Sequence, residues 1–290
     1  MILNEIDLFP CSIQTAKFLK SKDRIAYCGN QLNNISQVSI TKHVDNVACI
    51  EASYTFDGYC DDLSICELHN GIVLATIQNN ENGYGNLILC TARSDPMGYS
   101  EINYIGDNIL QVQQIASELI NNNDMHTNEA LSYCSYINTL AFDDYNHTLA
   151  FGNDHGSIVL NDMNTGQITN LFRGDSSGIV KLNYQYASTL ISTSHSTQNV
   201  MSIWDVRLAN SKVTSIANYP TVKDKKNSLN PNLKPNPKLH LDHYYTAVDT
   251  HVMNNMIVCG TACGDVVCWD IRNTTKHVAR FDGVHSDKGK

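Results

Sequence analysis

The stretch GDVVCWDIR, residues 264–272, decides the fold. A glycine opens it, strand-forming residues follow, and the pair Trp269-Asp270 closes it two residues before Arg272. The stretch SIWDVR, residues 202–207, repeats that ending with Trp204, Asp205 and Arg207. Five residues before Trp269 lies Gly264, and five before Trp204 lies Asn199. Gly and Asn best tolerate the left-handed backbone that tight hairpin turns require. One unit used twice makes the chain an array.

The same frame recurs upstream. In TLAFGNDHGSIVLNDMNTG (148–166), Gly156 holds the turn and Asn161-Asp162 takes the Trp-Asp place. In GIVLATIQNNENGYGNLILCTA (71–92), Gly85 takes the turn and Cys90 the Trp position; RIAYCGNQLNNISQVSITK (24–42) is a looser copy turning near Asn33. Each copy is an apolar strand, a polar turn and an alternating strand, which predicts two antiparallel strands. The segments 46–54, 136–144, 179–186 and 245–253 are strand candidates preceding the hairpins, and 167–172, 212–216 and 277–281 follow them. Four strands per unit are one propeller blade. The turn positions 85, 156, 199 and 264 are 71, 43 and 65 residues apart. A spacing of roughly 40–45 residues is that of a four-stranded blade, so the wider gaps hold insertions. These fall at about 93–130, with helical spacing of Ile109, Val112, Ile115 and Leu119, and about 217–240, rich in Pro and Lys. The expectation is a single domain over 1–290.

Composition narrows function. Hydrophobic residues make up 42% of the 290, enough for a substantial core. Lys and Arg number 20 against 29 Asp and Glu, a formal charge of −9. Such a chain repels phosphate backbones and anionic membranes, so no direct nucleic-acid partner is expected. The N-terminus has no basic start followed by an apolar run, and no stretch approaches the ~20 apolar residues of a membrane span, so no export or membrane insertion is expected. The ten cysteines form no Cys-x-x-Cys pair and sit in apolar runs, as small buried hydrophobes do. No metal or cofactor is expected.

These units resemble the WD40 β-propeller family, through Trp204-Asp205 and Trp269-Asp270. The resemblance implies that each Trp hydrogen-bonds a Ser or Thr on the second strand. Thr193 and Thr261 are the candidates, Asp154 fits the turn Asp, and Cys263 stands in its place in the last copy. More narrowly, GQITNLFRGDSSGIVKLNYQYASTLISTSHSTQNVMSIWDVR (166–207) is similar to the forty-three-kilodalton WD-repeat nucleoporin family, as is LHLDHYYTAVDTHVMNNMIVCGTACGDVVCWDIRNTT and, more loosely, the opening stretch. The likeness spans most of the chain but is diffuse. The fold class expected is therefore all-β: a WD40 propeller with about five recognisable blades, where that family has seven. The chain stops where another blade would begin, which reads as a shortened product in preference to a propeller completed by a partner.

The resemblance implies a non-enzymatic docking subunit of the nuclear pore's Y-shaped outer-ring complex, at the nuclear envelope. It would serve mRNA and protein transport, with a role at the mitotic kinetochore, and its partners would be large nucleoporins rather than a small-molecule substrate. The structural positions are Trp204, Asp205, Trp269, Asp270, Gly156, Asn199 and Gly264. Arg207 and Arg272 are candidate partner-binding residues, because WDxR also marks substrate receptors of cullin–RING ubiquitin ligases. The competing expectation is that each guanidinium pairs with an acidic group in the next blade. Asp61-Asp62 and Asp143-Asp144 read as solvated loop carboxylates, since neighbours in a strand point to opposite faces. No histidine spacing suggests a metal or a nucleophile, and no phosphate-binding or nucleophile-elbow motif is present. Lys223, Lys225, Lys226, Lys234 and Lys238 form one basic patch, expected to be solvated.

Overall fold

Among the described residues all regular structure is strand. The computed structural model describes residues 12–21, 23–31, 33–44, 47–68, 71–79, 81, 85–95, 98–107, 136–143, 145, 147–165, 167–174, 177–186, 188–196, 200–208, 212–216, 244–251 and 255–284. The expected helix near 109–119, the insertion at 217–240 with its lysines, and Asn199 lie outside them.

The described residues form twenty strands in five antiparallel sheets of four. The first holds β1 (Ser12–Phe18), β2 (Arg24–Asn30), β3 (Ile35–Val44) and β4 (Val47–Asp57). The second holds β5 (Leu63–Leu68), β6 (Gly71–Asn79), β7 (Gly85–Asp95) and β8 (Gly98–Asp107). The third holds β9 (Ile137–Asp143), β10 (Thr148–Asn153), β11 (Ser157–Asp162) and β12 (Gln167–Arg173). The fourth holds β13 (Ile179–Tyr186), β14 (Thr189–Ser194), β15 (Met201–Asp205) and β16 (Lys212–Ile216). The fifth holds β17 (Tyr245–His251), β18 (Met256–Thr261), β19 (Val266–Asp270) and β20 (Ala279–Phe281). Each sheet is a meander, its strands paired in chain order.

The turns follow the expected chemistry. Gly156 and Gly264 have φ of 82° and 86°, and the β2–β3 hairpin turns through Asn33 and Asn34 at 67° and 59°. These are left-handed conformations that a branched side chain would strain. Gly85 is different. It is the first residue of β7, paired with Asn79, and a Cβ there would lie 2.7 Å from Ile137 Cγ1 and 2.8 Å from Asn79 Oδ1. The glycine is required for space, not for a turn.

Two strand assignments are corrected. The segment 46–54 does not lead into the second sheet: its described residues, 47–54, lie within β4, the outer strand of the first, paired along β3 from Ile35↔Asp57 to Val44↔Val47. The leading strand of the second sheet is the six-residue β5, whose acidic approach hides it in the sequence. The first insertion also begins later than expected, because β7 runs to Asp95 and Gly98–Asp107 is β8, paired with β7.

The chain divides into two compact units, Met1–Asp154 with Val159–Thr169, and His155–Ile158 with Asn170–Lys290. In the first, one core joins Ala26, Cys28, Val38 and Ile40 of the first sheet to Leu63, Leu74, Ile88 and Cys90 of the second. In the second, one core joins Ile191, Met201, Ile203 and Ile216 of the fourth sheet to Tyr245, Ile257, Cys259, Val267 and Trp269 of the fifth. Full burial of an aliphatic side chain stabilises by about 1.5–3 kcal/mol relative to exposure, so sheet-on-sheet packing carries most of the stability. The eight described cysteines are free; Cys28, Cys60, Cys90 and Cys259 are buried within these cores, and Cys66 is buried as well. Burial pushes the Cys90 thiol up to about 12. No helix among the described residues is long and apolar enough to cross a membrane.

Candidate functional site

Each Trp-Asp pair ends the third strand of its sheet, Trp204-Asp205 in β15 and Trp269-Asp270 in β19. Trp204 lies in β15, is 2% exposed and stacks on Phe172 with ring centroids 5.4 Å apart. Its Nε1–H donates to Ser192 Oγ at 2.8 Å. The hydroxyl is on the second strand, as the resemblance implies, but it is Ser192 and not Thr193. Strand alternation explains this: Ser192 pairs with Ser202, on the same face as Trp204, and Thr193 faces the other way. The Thr193 hydroxyl is buried without a hydrogen-bond partner. Trp269 is 1% exposed and donates to Tyr245 Oη at 3.1 Å, a phenol on the first strand. Burial pushes that phenol up, so it stays neutral. Thr261 is engaged elsewhere, accepting from Asp265 N at 3.0 Å and meeting Cys263 Sγ at 3.1 Å.

The acidic role at this last turn belongs to Asp265, two residues beyond Cys263. Its Oδ2 accepts from Arg280 Nη2 at 2.7 Å, and its Oδ1 from Gly283 N at 2.7 Å. Burial pushes the Asp265 carboxyl up, but these donors outweigh it and hold it below the ordinary value. Asp154, by contrast, is exposed, and its backbone N–H donates to Tyr136 O at 3.0 Å.

Arg207 and Arg272 do not reach an acidic group in another sheet. Each folds onto the aspartate of its own Trp-Asp pair. Arg207 Nε and Nη2 donate to Asp205 Oδ1 and Oδ2 at 2.9 and 2.5 Å. Arg272 does the same to Asp270 at 2.9 and 2.6 Å. In both turns the arginine backbone N–H also donates to Oδ1, at 3.1 and 2.9 Å. Two residues is the span of an Asx turn, which brings the side chain back over the carboxylate. The hydrogen bonds from Arg207 hold Asp205 below its ordinary value, and those from Arg272 hold Asp270 down to about 2. The two arginine side chains are 71% and 68% exposed. They therefore present neutralised forks at the surface rather than unpaired cations.

The first unit contains no tryptophan and is fastened differently. Asp62, read from sequence as solvated, is 3% exposed. Its Oδ1 accepts from Thr15 Oγ1 at 3.2 Å and Leu63 N at 3.0 Å, and its Oδ2 from Thr139 Oγ1 at 2.9 Å and Leu140 N at 3.1 Å. One carboxylate thus joins the leading strands of three sheets, β1, β5 and β9. Asp61 accepts from Tyr136 Oη at 2.7 Å and Asn79 Nδ2 at 2.8 Å. Burial and that carboxylate push the Tyr136 phenol up to about 12. Asn79, fully buried, also exchanges hydrogen bonds with Ile137, donating to O at 2.8 Å and accepting from N at 3.1 Å. Asp143 is likewise buried, at 3%, with an acceptor oxygen 2.9 Å from Tyr145 N; Asp144 lies outside the described residues.

Among the described residues, no three His, Cys, Asp or Glu side chains are grouped as a metal would require. No protein-family model matches the chain, and no curated protein matches it.

Proposed function

We propose that this chain is a WD40-type β-propeller acting as a non-enzymatic docking scaffold, in the outer-ring Y complex of the nuclear pore. The observation that carries the scaffold reading is the repeated four-stranded meander, five times over, with an indole-to-hydroxyl hydrogen bond behind two Trp-Asp turns. Preformed sheets with short connecting turns offer partners a surface that costs little ordering entropy on binding. The pore assignment rests on the likeness of 166–207 and of the last Trp-Asp unit to the WD-repeat nucleoporins. In this reading the chain sits at the nuclear envelope, binds large nucleoporins and supports mRNA and protein transport, with a mitotic role at the kinetochore.

The test is affinity capture of the tagged chain from its own cells, with mass spectrometry of what is recovered. Large helical nucleoporins are the expected result. Recovery of a cullin and its adaptor without nucleoporins overturns the pore assignment in favour of a ligase substrate receptor. The exposed Arg207 and Arg272 favour that second reading only insofar as a partner can compete for forks already held by Asp205 and Asp270.

A further inference from the structure

Cys28 and Cys60 have no part in the docking reading, and both are fully buried in one core. Cys28 lies in β2, where it pairs with Thr15 of β1 and Val38 of β3. Asn30 follows two residues later, so its side chain leaves the strand on the same face as that of Cys28. Cys60 belongs to no strand. It sits in the connection from β4 to β5, residues 58–62, and that connection is clamped to Asn30. Cys60 N donates to Asn30 Oδ1 at 2.8 Å, Asn30 Nδ2 donates to Cys60 O at 3.2 Å, and Cys60 Sγ donates to Asn30 Oδ1 at 3.2 Å. The clamp delivers the Cys60 sulfur to the face that carries Cys28, and the Cys28 thiol donates a hydrogen bond to it.

Neighbouring strands alone do not make such a pair. Cys259 and Cys268 stand on adjacent strands of the fifth sheet, but Cys259 pairs with Val267 and Cys268 with Val258, which sends their side chains to opposite faces. The two thiols of the first unit are also unequal. The hydrogen bond from Cys28 holds the Cys60 thiol below its ordinary value, with burial opposing it. The same bond, with burial added, pushes the Cys28 thiol up. Cys60 is therefore the sulfur that ionises first, and the thiolate is the nucleophile.

We infer that Cys28 and Cys60 are an oxidation site: a dithiol that a hydroperoxide converts to a disulfide, tying β2 to the crossing between the first and second sheets. Local opening of the connection 58–62, which lies outside the strands, admits the oxidant to Cys60 while Cys28 stays in its ladder. The Cys60 thiolate attacks the outer peroxide oxygen, the O–O bond breaks, and an alcohol (water from hydrogen peroxide) leaves; Cys60 is then a sulfenic acid. The Cys28 sulfur attacks the Cys60 sulfur, the S–O bond breaks, and hydroxide leaves as water with the Cys28 proton. Together the two thiols lose two electrons and two protons, and the peroxide gains both. Sulfurs already in hydrogen-bond contact need only close to the ~2 Å of an S–S bond. The new bond encloses β3 and β4 and fixes the connection that carries Asp61 and Asp62. The inference depends on neither the scaffold reading nor the pore assignment.

The test uses the full chain, first reduced and then exposed to rising hydrogen peroxide. Remaining thiols are blocked with N-ethylmaleimide, and an unreduced digest is mapped by mass spectrometry. The expected product is a linked Cys28–Cys60 peptide pair that forms ahead of any other cysteine linkage and is lost on treatment with dithiothreitol. Closing a loop of about 30 residues should raise the thermal midpoint by about 5 °C or more. Cys60→Ser removes both the linkage and the rise, whereas Cys49→Ser, at an exposed position, removes neither. If Cys60→Ser does not fold, the map of the intact chain still decides. Oxidation confined to Cys49 and Cys263, Cys60 carried on to the sulfinic acid without linkage, or a linked pair that appears only once the chain is unfolded overturns the inference.

Discussion

The two units solve the same fastening problem with different side chains. The second unit uses tryptophans: Trp204 and Trp269 fill the cores between sheets and spend their single N–H on Ser192 and Tyr245. The first unit has none and uses small polar groups, with Asp62 receiving four hydrogen bonds from three strands and Asn79 bridging to Ile137. A tryptophan anchors by area and tolerates imperfect hydrogen bonding, because most of its contribution is apolar burial. A buried carboxylate contributes only through its partners, and each one lost is left unsatisfied. The polar fastening is therefore the more brittle of the two.

The largest effect is expected at Asp62. In Asp62→Ala the Leu63 and Leu140 N–H groups and the Thr139 hydroxyl lose their acceptor in sites shut off from water. With about 1–3 kcal/mol for each unsatisfied buried group, the loss is about 3–9 kcal/mol, read as a fall in the denaturation midpoint. Asp62→Asn keeps the volume but turns an NH2 toward donors on one side, so it loses about 2 kcal/mol. A loss below that of the alanine variant of any surface aspartate, such as Asp162, would break the contrast between the units.

The tryptophans sharpen it. Trp204→Phe and Trp269→Phe keep most of the apolar area and strand one hydroxyl each, so each costs about 1–2 kcal/mol, against about 3–5 kcal/mol for replacement by Ala. Ser192→Ala and Tyr245→Phe leave the indole N–H unpaired instead and are expected to match the Phe variants. Equal losses in all four would show that the Tyr245 phenol substitutes fully for the hydroxyl on the second strand.

The same contrast explains what could be read in advance. Strand period and the Trp-Asp frame locate β9 to β20 nearly to the residue, since alternating runs between Gly or Asn turns leave few registers. The Trp204 partner was off by one, Thr193 for Ser192, because choosing between adjacent hydroxyls needs the pairing register that only the folded sheet supplies. Asp62 and Asn79 carry no periodic signal, and their value comes from Thr139, Leu140 and Ile137, some sixty to eighty positions away. An Asp-Asp pair directly before the short run LSICEL is the one local hint. The β4 misplacement has a similar root: nothing in 46–54 tells an outer strand of one sheet from a leading strand of the next.

Asp265 gives a contribution that pH can switch. Its folded carboxyl lies below the ordinary carboxylate value because Arg280 and the Gly283 N–H favour the charged form over the opposing effect of burial. The unfolded chain therefore binds its proton at higher pH than the folded one. The stabilisation is complete above the ordinary range near ~4 and is lost as pH falls through the depressed folded value. Against Asp265→Asn, the intact chain should be more stable by about 2 kcal/mol at pH 7, a typical contribution for hydrogen bonds to a charged group. That gap should close as the comparison is moved to acid. A gap independent of pH would mean that the ionised form contributes nothing here.

The smallest effect is expected where the sequence signal is most conspicuous. Arg207→Ala and Arg272→Ala each remove a guanidinium that is about two-thirds exposed and bonded only to the aspartate of its own turn. Water replaces both donors at little cost, so no resolvable change in thermal midpoint is expected. The backbone N–H of residue 207 or 272 still reaches the carboxylate, and the turn keeps its shape. What should move is acidity. Without the Arg272 fork, the Asp270 carboxyl should rise from about 2 part of the way toward ~3.9, as followed by NMR titration of its carboxyl carbon. If that rise occurs and captured partners are unchanged, the arginines serve the turn. If stability is unchanged but a partner is lost, the exposed fork is the contact, and the ligase-receptor reading gains over the pore scaffold.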